Sequence, residues 1–564
     1  MRAHRVHGVS VAVIDHFAIA WVKGYGEADA ETHARVTETT LFQAGSISKP
    51  VAAMAALSLV QRGKLSLNAP IDDVLTTWKI PANDLTRATP VTLRQLLSHT
   101  AGFTVHGFPG YPAGAPLPTL PQILDGVPPA NTDPIRVDMP PGKEFRYSGG
   151  GITVMQMALV DATHEPFPKF LADTVLGPLG MKHSTYEQPL PAERLPDAAA
   201  GYNRLEDPVI GKRHVYPEMA AAGLWTTPSD LARFAIELGL TYAGRSARVL
   251  SPEMARTMLT PVAPTGEGDS VGLGIFISDH HGTTYFGHDG ADEGFQAVLT
   301  MDRDGGRGAA VMVNSDEGIP LAEEIVRSVA IEYGWPGWVE PEVDLATVDR
   351  ATLATYEGGY LLNDDRIVRV RAEGDHLVLT TPFYPDAELL PVSPTEFVRT
   401  DRAIRYTFTR DAAGVALKVD PPDEYPVCKR VAAGATVALD DVVAGRIEAA
   451  TKRYRAGRAT AKAGDAAYAF SEERLNGLGV QALALGDTKA AIRVFQVNVT
   501  LAPDSMNARD SLAEAYFRSG DRARAVEAFR QSLAAFARDK KTPASYRAVL
   551  REGALRRLAT LGVR

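Results

Sequence analysis

The sequence predicts a multidomain chain: a mixed α/β domain built on an antiparallel sheet flanked by helices, a small β-rich module, and an all-α region. Three observations carry this. Gln296-Ala-Val-Leu-Thr-Met and Gly308-Ala-Ala-Val-Met-Val are joined by Asp302-Arg-Asp-Gly-Gly, a hairpin signal. Pro50-Val-Ala-Ala-Met-Ala-Ala-Leu-Ser-Leu-Val60 is apolar on nearly every face, the mark of a helix buried in a core. Beyond about residue 440, Ala, Arg and Leu recur at helical spacing and strand-like text disappears.

Taken in order, Gly8-Val-Ser-Val-Ala-Val-Ile reads as a buried strand. Thr40-Leu-Phe-Gln-Ala-Gly45 leads into the apolar helix, where Pro50 is tolerable because the first turn has unpaired N–H groups anyway, and Gly63 ends it. Phe103 to Pro140, with Phe108, Tyr111 and many prolines, is long for a connection and is expected either to wall a pocket or to form a mobile lid. A second apolar helix starts near Ile152. These elements make a large domain over 1–335. Ile367-Val-Arg-Val-Arg and His376-Leu-Val-Leu-Thr-Thr, with turns at Glu373-Gly-Asp and Asp411-Ala-Ala-Gly, mark the β-rich module, 345–432. In the helical region, 440–564, Leu478, Gly486-Asp487, Ala491 and Phe495 recur as Leu512, Gly520-Asp521, Ala525 and Phe529, a period of 34, with Pro503 closing the first unit. This resembles the tetratricopeptide repeat, with the segments 444–469 and 543–561 as caps; an ordinary helical bundle with a chance echo is the alternative.

The chain has 564 residues, 59 Lys plus Arg against 68 Asp plus Glu, and a net charge of −9. That balance argues against nucleic acid or an anionic membrane as the main partner. Apolar residues at 45% and charged residues at 23% exclude a disordered or collagen-like chain. The lone Cys428 excludes an internal disulfide and a cysteine-based zinc site. No apolar stretch approaches the roughly 18 residues a membrane span needs. No signal peptide is legible, so the expected compartment is the cytoplasm if the chain is complete as it stands, and the periplasm or exterior if a signal precedes it.

The chemistry concentrates at Ser46-Ile47-Ser48-Lys49, the single Ser-x-x-Lys of the chain. At helical spacing Ser46 and Lys49 share a face, so the ammonium reaches the hydroxyl. A desolvated Lys has a lowered pKa and serves as the base a serine nucleophile needs, while helix N-terminal N–H groups favour an oxyanion. A capping Ser beside a surface Lys explains the same four residues, so the tetrad alone is weak.

Two further motifs follow it: Tyr147-Ser148-Gly149 before the second apolar helix, and His288-Asp289-Gly290-Ala291 on or beside a strand. Ser-x-x-Lys, Tyr-Ser-x and His-x-Gly in this order resemble the serine β-lactamase and penicillin-binding-protein superfamily, most like its class C, D-alanyl-D-alanine carboxypeptidase and family VIII carboxylesterase branch. Leu96-Leu-Ser-His-Thr-Ala-Gly-Phe103, Val175–Thr185 and Ala222–Leu231 support the match, which spans about 8 to 333. The resemblance implies Ser46 as acylated nucleophile, Lys49 as its proton partner and Tyr147 as a phenolate-type base and acid with a pKa lowered by the ammonium. It further implies an oxyanion hole from the N–H groups of Ser46 and Ala291, and a pocket edged by His288 and Gly290, with His288 either a wall or a donor to the ligand. Two positions depart from the family's lactamases and peptidases. Gly149 stands where they have an Asn amide, and His288 stands where they often have a Lys for a substrate carboxylate; a neutral imidazole cannot supply that charge near pH 7.

The expected activity is therefore metal-free and cofactor-free hydrolysis through an acyl-enzyme, on carboxylic esters or D-amino-acid peptides and amides. A β-lactamase is one alternative. A catalytically weak or inactive scaffold is another, binding a peptide or protein partner through its helical repeats. Other motifs fail on context. Gly268-Asp-Ser270-Val-Gly272 fits a nucleophile elbow but is followed by strand-like text. His280 and His281 read as turn residues rather than metal ligands, and His99 as a structural histidine.

Overall fold

The computed structural model describes every residue except 267–268, 340–341, 364, 400–403, 412–413, 421–426, 462–467, 543 and 564. Gly268 of the elbow-like motif, Ala412-Ala413 of one expected turn and part of the first expected cap therefore lie outside the described residues. The chain divides into two compact units, Met1–Val339 and Glu340–Arg564.

In the first unit the strands are β1 (Gly8–Asp15), β2 (Ala18–Asp29), β3 (Ala34–Arg35), β4 (Phe42–Gln43), β5 (Tyr111–Pro112), β6 (His214–Val215), β7 (Trp225–Thr226), β8 (Ala263–Pro264), β9 (Ser270–Val271), β10 (Phe276–His280), β11 (Thr283–Asp292), β12 (Phe295–Asp302) and β13 (Gly308–Val313). Nine of them form one sheet in the order β3-β2-β1-β13-β12-β11-β10-β9-β8. The pairs among β1, β2 and β10 to β13 are antiparallel, and β12 and β13 form the hairpin expected from the turn between them. β1 is buried on both faces, which is why it reads as an unbroken apolar run. Ala12 and Ile14 enter the larger core, and Val9, Val11 and Val13 enter a second one.

The larger core lies between the sheet and the helices α1 (Ser48–Gln61), α2 (Gly149–Thr163), α3 (Met219–Ala222) and α4 (Pro228–Tyr242). α1 is buried on all sides from Ser48 to Leu59, and its proline sits in the first turn. The other face of the sheet is covered by α5 (Ile319–Glu332), which contributes Leu321, Ala322, Val326 and Val329 to the second core.

In the second unit a closed barrel runs through β14 (Gly358–Asn363), β15 (Arg366–Glu373), β16 (His376–Thr380), β17 (Ala387–Pro391), β18 (Glu396–Arg399), β19 (Arg405–Asp411), β20 (Gly414–Asp420) and β21 (Val427–Arg430). Its interior is filled by Tyr360, Leu377, Leu389, Phe397, Phe408, Leu417 and the buried Cys428. Closure removes the free edges a small sheet would expose. The helices α6 (Ala438–Val443), α7 (Ile447–Thr460), α8 (Glu472–Ala484), α9 (Thr488–Leu501), α10 (Met506–Arg518), α11 (Arg522–Ala535) and α12 (Ala544–Thr560) follow. Barrel and helices share polar contacts: Arg369 bonds Asp440 at 2.6 Å, and Arg474 lies 3.8 Å from the buried Asp365. No helix among the described residues is long and apolar enough to cross a membrane.

Candidate active site

The nucleophile motif straddles two elements. Gly45–Ile47 form a 3₁₀ turn between β4 and α1, so Ser46 stands on the turn and Lys49 on the first turn of the helix. Lys49 Nζ donates to Ser46 Oγ at 2.7 Å and to the Ala221 carbonyl at 2.8 Å. Ser46 is half-buried while Lys49 is 2% exposed. Burial lowers the Lys49 pKa from 10.5 to about 7, against an opposing pull from Asp292. The lowering has the direction that desolvation of an ammonium dictates.

Tyr147 precedes α2, whose N-cap is Ser148: its Oγ accepts from the Gly151 N–H at 2.9 Å. The phenol is packed among rings. His99 lies 4.4 Å away, His106 4.8 Å, Phe276 6.1 Å and His288 6.0 Å between centroids. Lys49 Nζ stands 5.0 Å from the ring centre. The expected lowering of the Tyr147 pKa is corrected here. Burial raises it, offset only in part by the Ser46 hydroxyl, because a largely desolvated phenolate loses more hydration than its neighbours restore. In the free site Tyr147 is a neutral phenol.

β11 brings His288, Gly290 and Ala291 to the turn. Its ladder with β10 ends at the pair Phe276–Gly287, so residues 288 to 292 border the site along that edge. Gly290 must lack a side chain, since a Cβ would overlap the Ala44 carbonyl oxygen. Gly45, at φ +50°, also presses on the backbone of Ala291, whose nitrogen a Cβ there would meet at 2.4 Å. These contacts set the Ala291 backbone against the turn that carries Ser46. His288 Nδ1 lies 2.6 Å from the Asp289 carbonyl oxygen, to which it donates, so Nε2 is a bare acceptor, buried and without a partner. Burial and Lys49 push its pKa to about 3. In this neutral tautomer Nε2 presents a lone pair rather than a proton.

Gly149 opens α2 beneath the long connection. Its N–H bonds the His106 carbonyl at 2.9 Å, the Gly150 N–H bonds Val105 at 3.0 Å, and Ser148 Oγ bonds the Thr104 carbonyl at 2.8 Å. Residues 104 to 108 are therefore strapped to the helix start and wall the site with His106 and Phe108.

His99 is buried, and its Nδ1 accepts from the Ser148 N–H at 3.2 Å, which fixes the ring against Tyr147. Ser270 pairs with Ile277 on a strand and no helix follows it. His280 stacks on Trp338 at 4.4 Å, and His281 is exposed in the turn. Among the described residues no group of three His, Cys, Asp or Glu could hold a metal. His106 and Phe276 escaped the sequence reading, since neither belongs to a local motif and only the fold brings them to Tyr147.

Residues 1–332 match the family model described as Beta-lactamase. The chain belongs to the beta-lactamase family. Among curated relatives of this family member, Protein Rv1367c of Mycobacterium tuberculosis is 31% identical over 277 residues, 42% of this chain and 64% of that protein. Penicillin-binding protein 4 of Amycolatopsis lactamdurans is 28% identical over 348 residues, 58% of this chain and 87% of that protein. The alignment thus spans less than two thirds of the Mycobacterium relative's length. Among solved structures, the octameric penicillin-binding protein homologue from Pyrococcus abyssi superposes with a TM-score of 0.52 at 22% identity, covering 76% of this beta-lactamase-family chain and 97% of that one. That likeness extends the shared fold beyond the matched domain.

Proposed function

We propose that the chain is a serine hydrolase that forms an acyl-enzyme on Ser46 and acts on carboxylic esters or on D-amino-acid amides and peptides. The observation that carries this reading is the 2.7 Å contact of Lys49 Nζ with Ser46 Oγ, in a site whose burial lowers the Lys49 pKa to about 7. Neutral Lys49 takes the hydroxyl proton as Oγ bonds the substrate carbonyl carbon. The resulting oxyanion is held by the N–H groups of Ser46 and Ala291. Tyr147 gives its proton to the leaving group as the carbonyl-to-leaving-group bond breaks, and the Lys49 ammonium restores the phenol. A water then attacks the acyl-enzyme, and Lys49 again accepts the proton.

Esters are favoured over β-lactams because position 149 offers no amide and position 288 no cation. Each missing hydrogen bond to a charged group costs roughly 1.5–3 kcal/mol, and about 1.4 kcal/mol is a factor of ten in rate. The test is kcat/KM for p-nitrophenyl acetate or butyrate against nitrocefin on one preparation. The ester is turned over much faster under this reading; a nitrocefin value equal or higher overturns the ranking.

The C-terminal helices support a second role, a tetratricopeptide-like groove for a peptide or protein partner. The pairs α8/α9 and α10/α11 turn alike: Gly486 and Gly520 have φ of 80° and 79°, and the Asp487 and Asp521 side chains cap the following helices through Ala490 and Arg524. At the equivalent small positions, Gly479 and Ala513, Gly479 lies against the Phe495 ring. Such pairs commonly present a concave binding surface. Pull-down with the isolated second unit checks for a partner that a unit lacking α8 to α11 does not retain.

A further inference from the structure

Lys49 rests on two acceptors, the Ser46 hydroxyl and the Ala221 carbonyl, and the second belongs to α3, a helix of only 4 residues. A helix leaves its last carbonyls without an internal donor. The N–H that would serve Ala221 in a longer helix, that of Trp225, donates instead to the Thr185 carbonyl at 2.9 Å. The Ala221 carbonyl is therefore open to Lys49 Nζ, at 2.8 Å. A single helical turn is a costly nucleus that does not hold itself. The place of that carbonyl depends on what grips the segment from outside.

Beyond α3 the segment is held by the nucleophile turn: the Ala44 N–H donates to the Leu224 carbonyl at 2.9 Å, and Ser48 Oγ accepts from the Leu224 N–H at 2.9 Å. At its start the segment is held by Gln156, a residue of α2 that is 3% exposed. Gln156 Oε1 accepts from the Ala220 N–H at 2.8 Å, and its Nε2 donates to the Pro217 carbonyl at 3.1 Å. A flipped amide would set donor against donor and oxygen against oxygen, so the two contacts fix its orientation. The Ala220 N–H is one of the orphan donors in the first turn of α3. The N-cap residue, Glu218, makes no side-chain cap. Gln156 thus satisfies that donor from across the core, as a cap would. The Glu218 carbonyl accepts from the N–H groups of Ala221 and Ala222 at 2.9 and 3.0 Å, which carries the grip on 217 and 220 onward to Ala221.

We propose that Gln156 is a positioning residue for acylation: by capping α3 from α2 it holds the Ala221 carbonyl where that oxygen aims Lys49 Nζ at Ser46 Oγ. The assignment rests on the reading of Lys49 as the base for Ser46. Because α2 begins directly after Tyr147 and Ser148, one helix places the phenol at its start and, through Gln156, the acceptor of the amine further along. The two proton-handling groups are kept in register by a single element. The role predicts a loss confined to the step in which Oγ attacks: a misplacement of about 1 Å costs up to about a hundredfold in rate, whereas the pocket that receives the ligand stays formed.

The experiment follows Ser46 labelling of the full-length protein over a series of fluorophosphonate concentrations, which separates the limiting rate constant from the concentration that half-saturates it. Gln156→Met keeps the length of the side chain and removes both hydrogen bonds. Its limiting rate constant should fall by about tenfold or more, with half-saturation within about twofold of wild type. Gln156→Glu, kept a neutral acid by burial, offers one accepting oxygen and one donating hydroxyl and should recover most of the rate. If Gln156→Met does not fold, Gln156→Asn, whose amide falls a methylene short of both partners, takes its place with the same expected loss. A folded Met or Asn variant that labels at the wild-type rate overturns the proposal. So does a Glu variant as slow as the Met variant, or a rate and a half-saturation that worsen together, since either marks a packing role; Ser46 and Lys49 then keep their roles. No labelling of Ser46 in the wild-type chain overturns the underlying reading and this assignment together.

Discussion

Phe108 lies across Gly149, so that a Cβ on the glycine would stand 3.1 Å from the ring Cε2 and 3.0 Å from the His106 carbonyl oxygen. The absence of a side-chain amide at 149 is thus tied to the course of the 104 to 108 strap, and the two features belong to one packing solution. Gly149→Asn alone is expected to be destabilising by about 1–3 kcal/mol, as overpacking of a filled site is. Phe108→Ala in the same chain recovers part of that loss. Thermal unfolding of the two single variants and the double variant measures the coupling; an Asn variant that melts with the wild type contradicts it.

Activity is expected to rise with pH through about 7, because neutral Lys49 is the competent form. Stability moves with the same group. The unfolded Lys49 keeps its proton up to 10.5 and the folded one releases it near 7, so the burial penalty is full below 7 and fades as pH rises toward 10.5. The difference in Tm between Lys49→Met and wild type therefore favours the variant most at pH 6 and shrinks toward pH 10. A difference that is flat across this range contradicts a buried, titrating amine.

The lone pair of His288 Nε2 offers nothing to a carboxylate. His288→Lys is expected to raise the ratio of nitrocefin to ester kcat/KM by about tenfold, about 1.4 kcal/mol of differential binding. An unchanged ratio would mean that substrate charge is read elsewhere.

Every candidate site residue lies in the first unit, whereas Asp440 and Arg474 of the helices bond the barrel. A chain ending at Val339 should hydrolyse small esters. A chain ending near 439 keeps the barrel but strips it of those partners, and should be the less soluble of the two. Loss of activity in a soluble, folded Met1–Val339 chain would show that the second unit completes the pocket.

Part of the site is legible in the sequence because its chemistry is local. Ser46 and Lys49 are three residues apart, so helical spacing puts them on one face, whereas Tyr147, His288, Gly290 and Ala291 are legible only through the family resemblance. The apolar helix after Pro50 and the hairpin between β12 and β13 are likewise legible from local pattern. What escapes is long-range. His106 and Phe276 reach Tyr147 from distant parts of the chain, and the burial that raises the Tyr147 pKa comes with that long-range packing. Barrel closure depends on β14 meeting β21, a pairing no local pattern encodes.

The central claim is that Ser46 becomes acylated with Lys49 as its base, and intact mass tests it most directly. Wild-type protein incubated with a fluorophosphonate should gain the mass of one phosphonyl adduct, mapped by peptide digestion to the segment containing Ser46. Ser46→Ala, equally folded, should gain none. An adduct on the Ala variant, or one mapped to Ser270, would contradict the account.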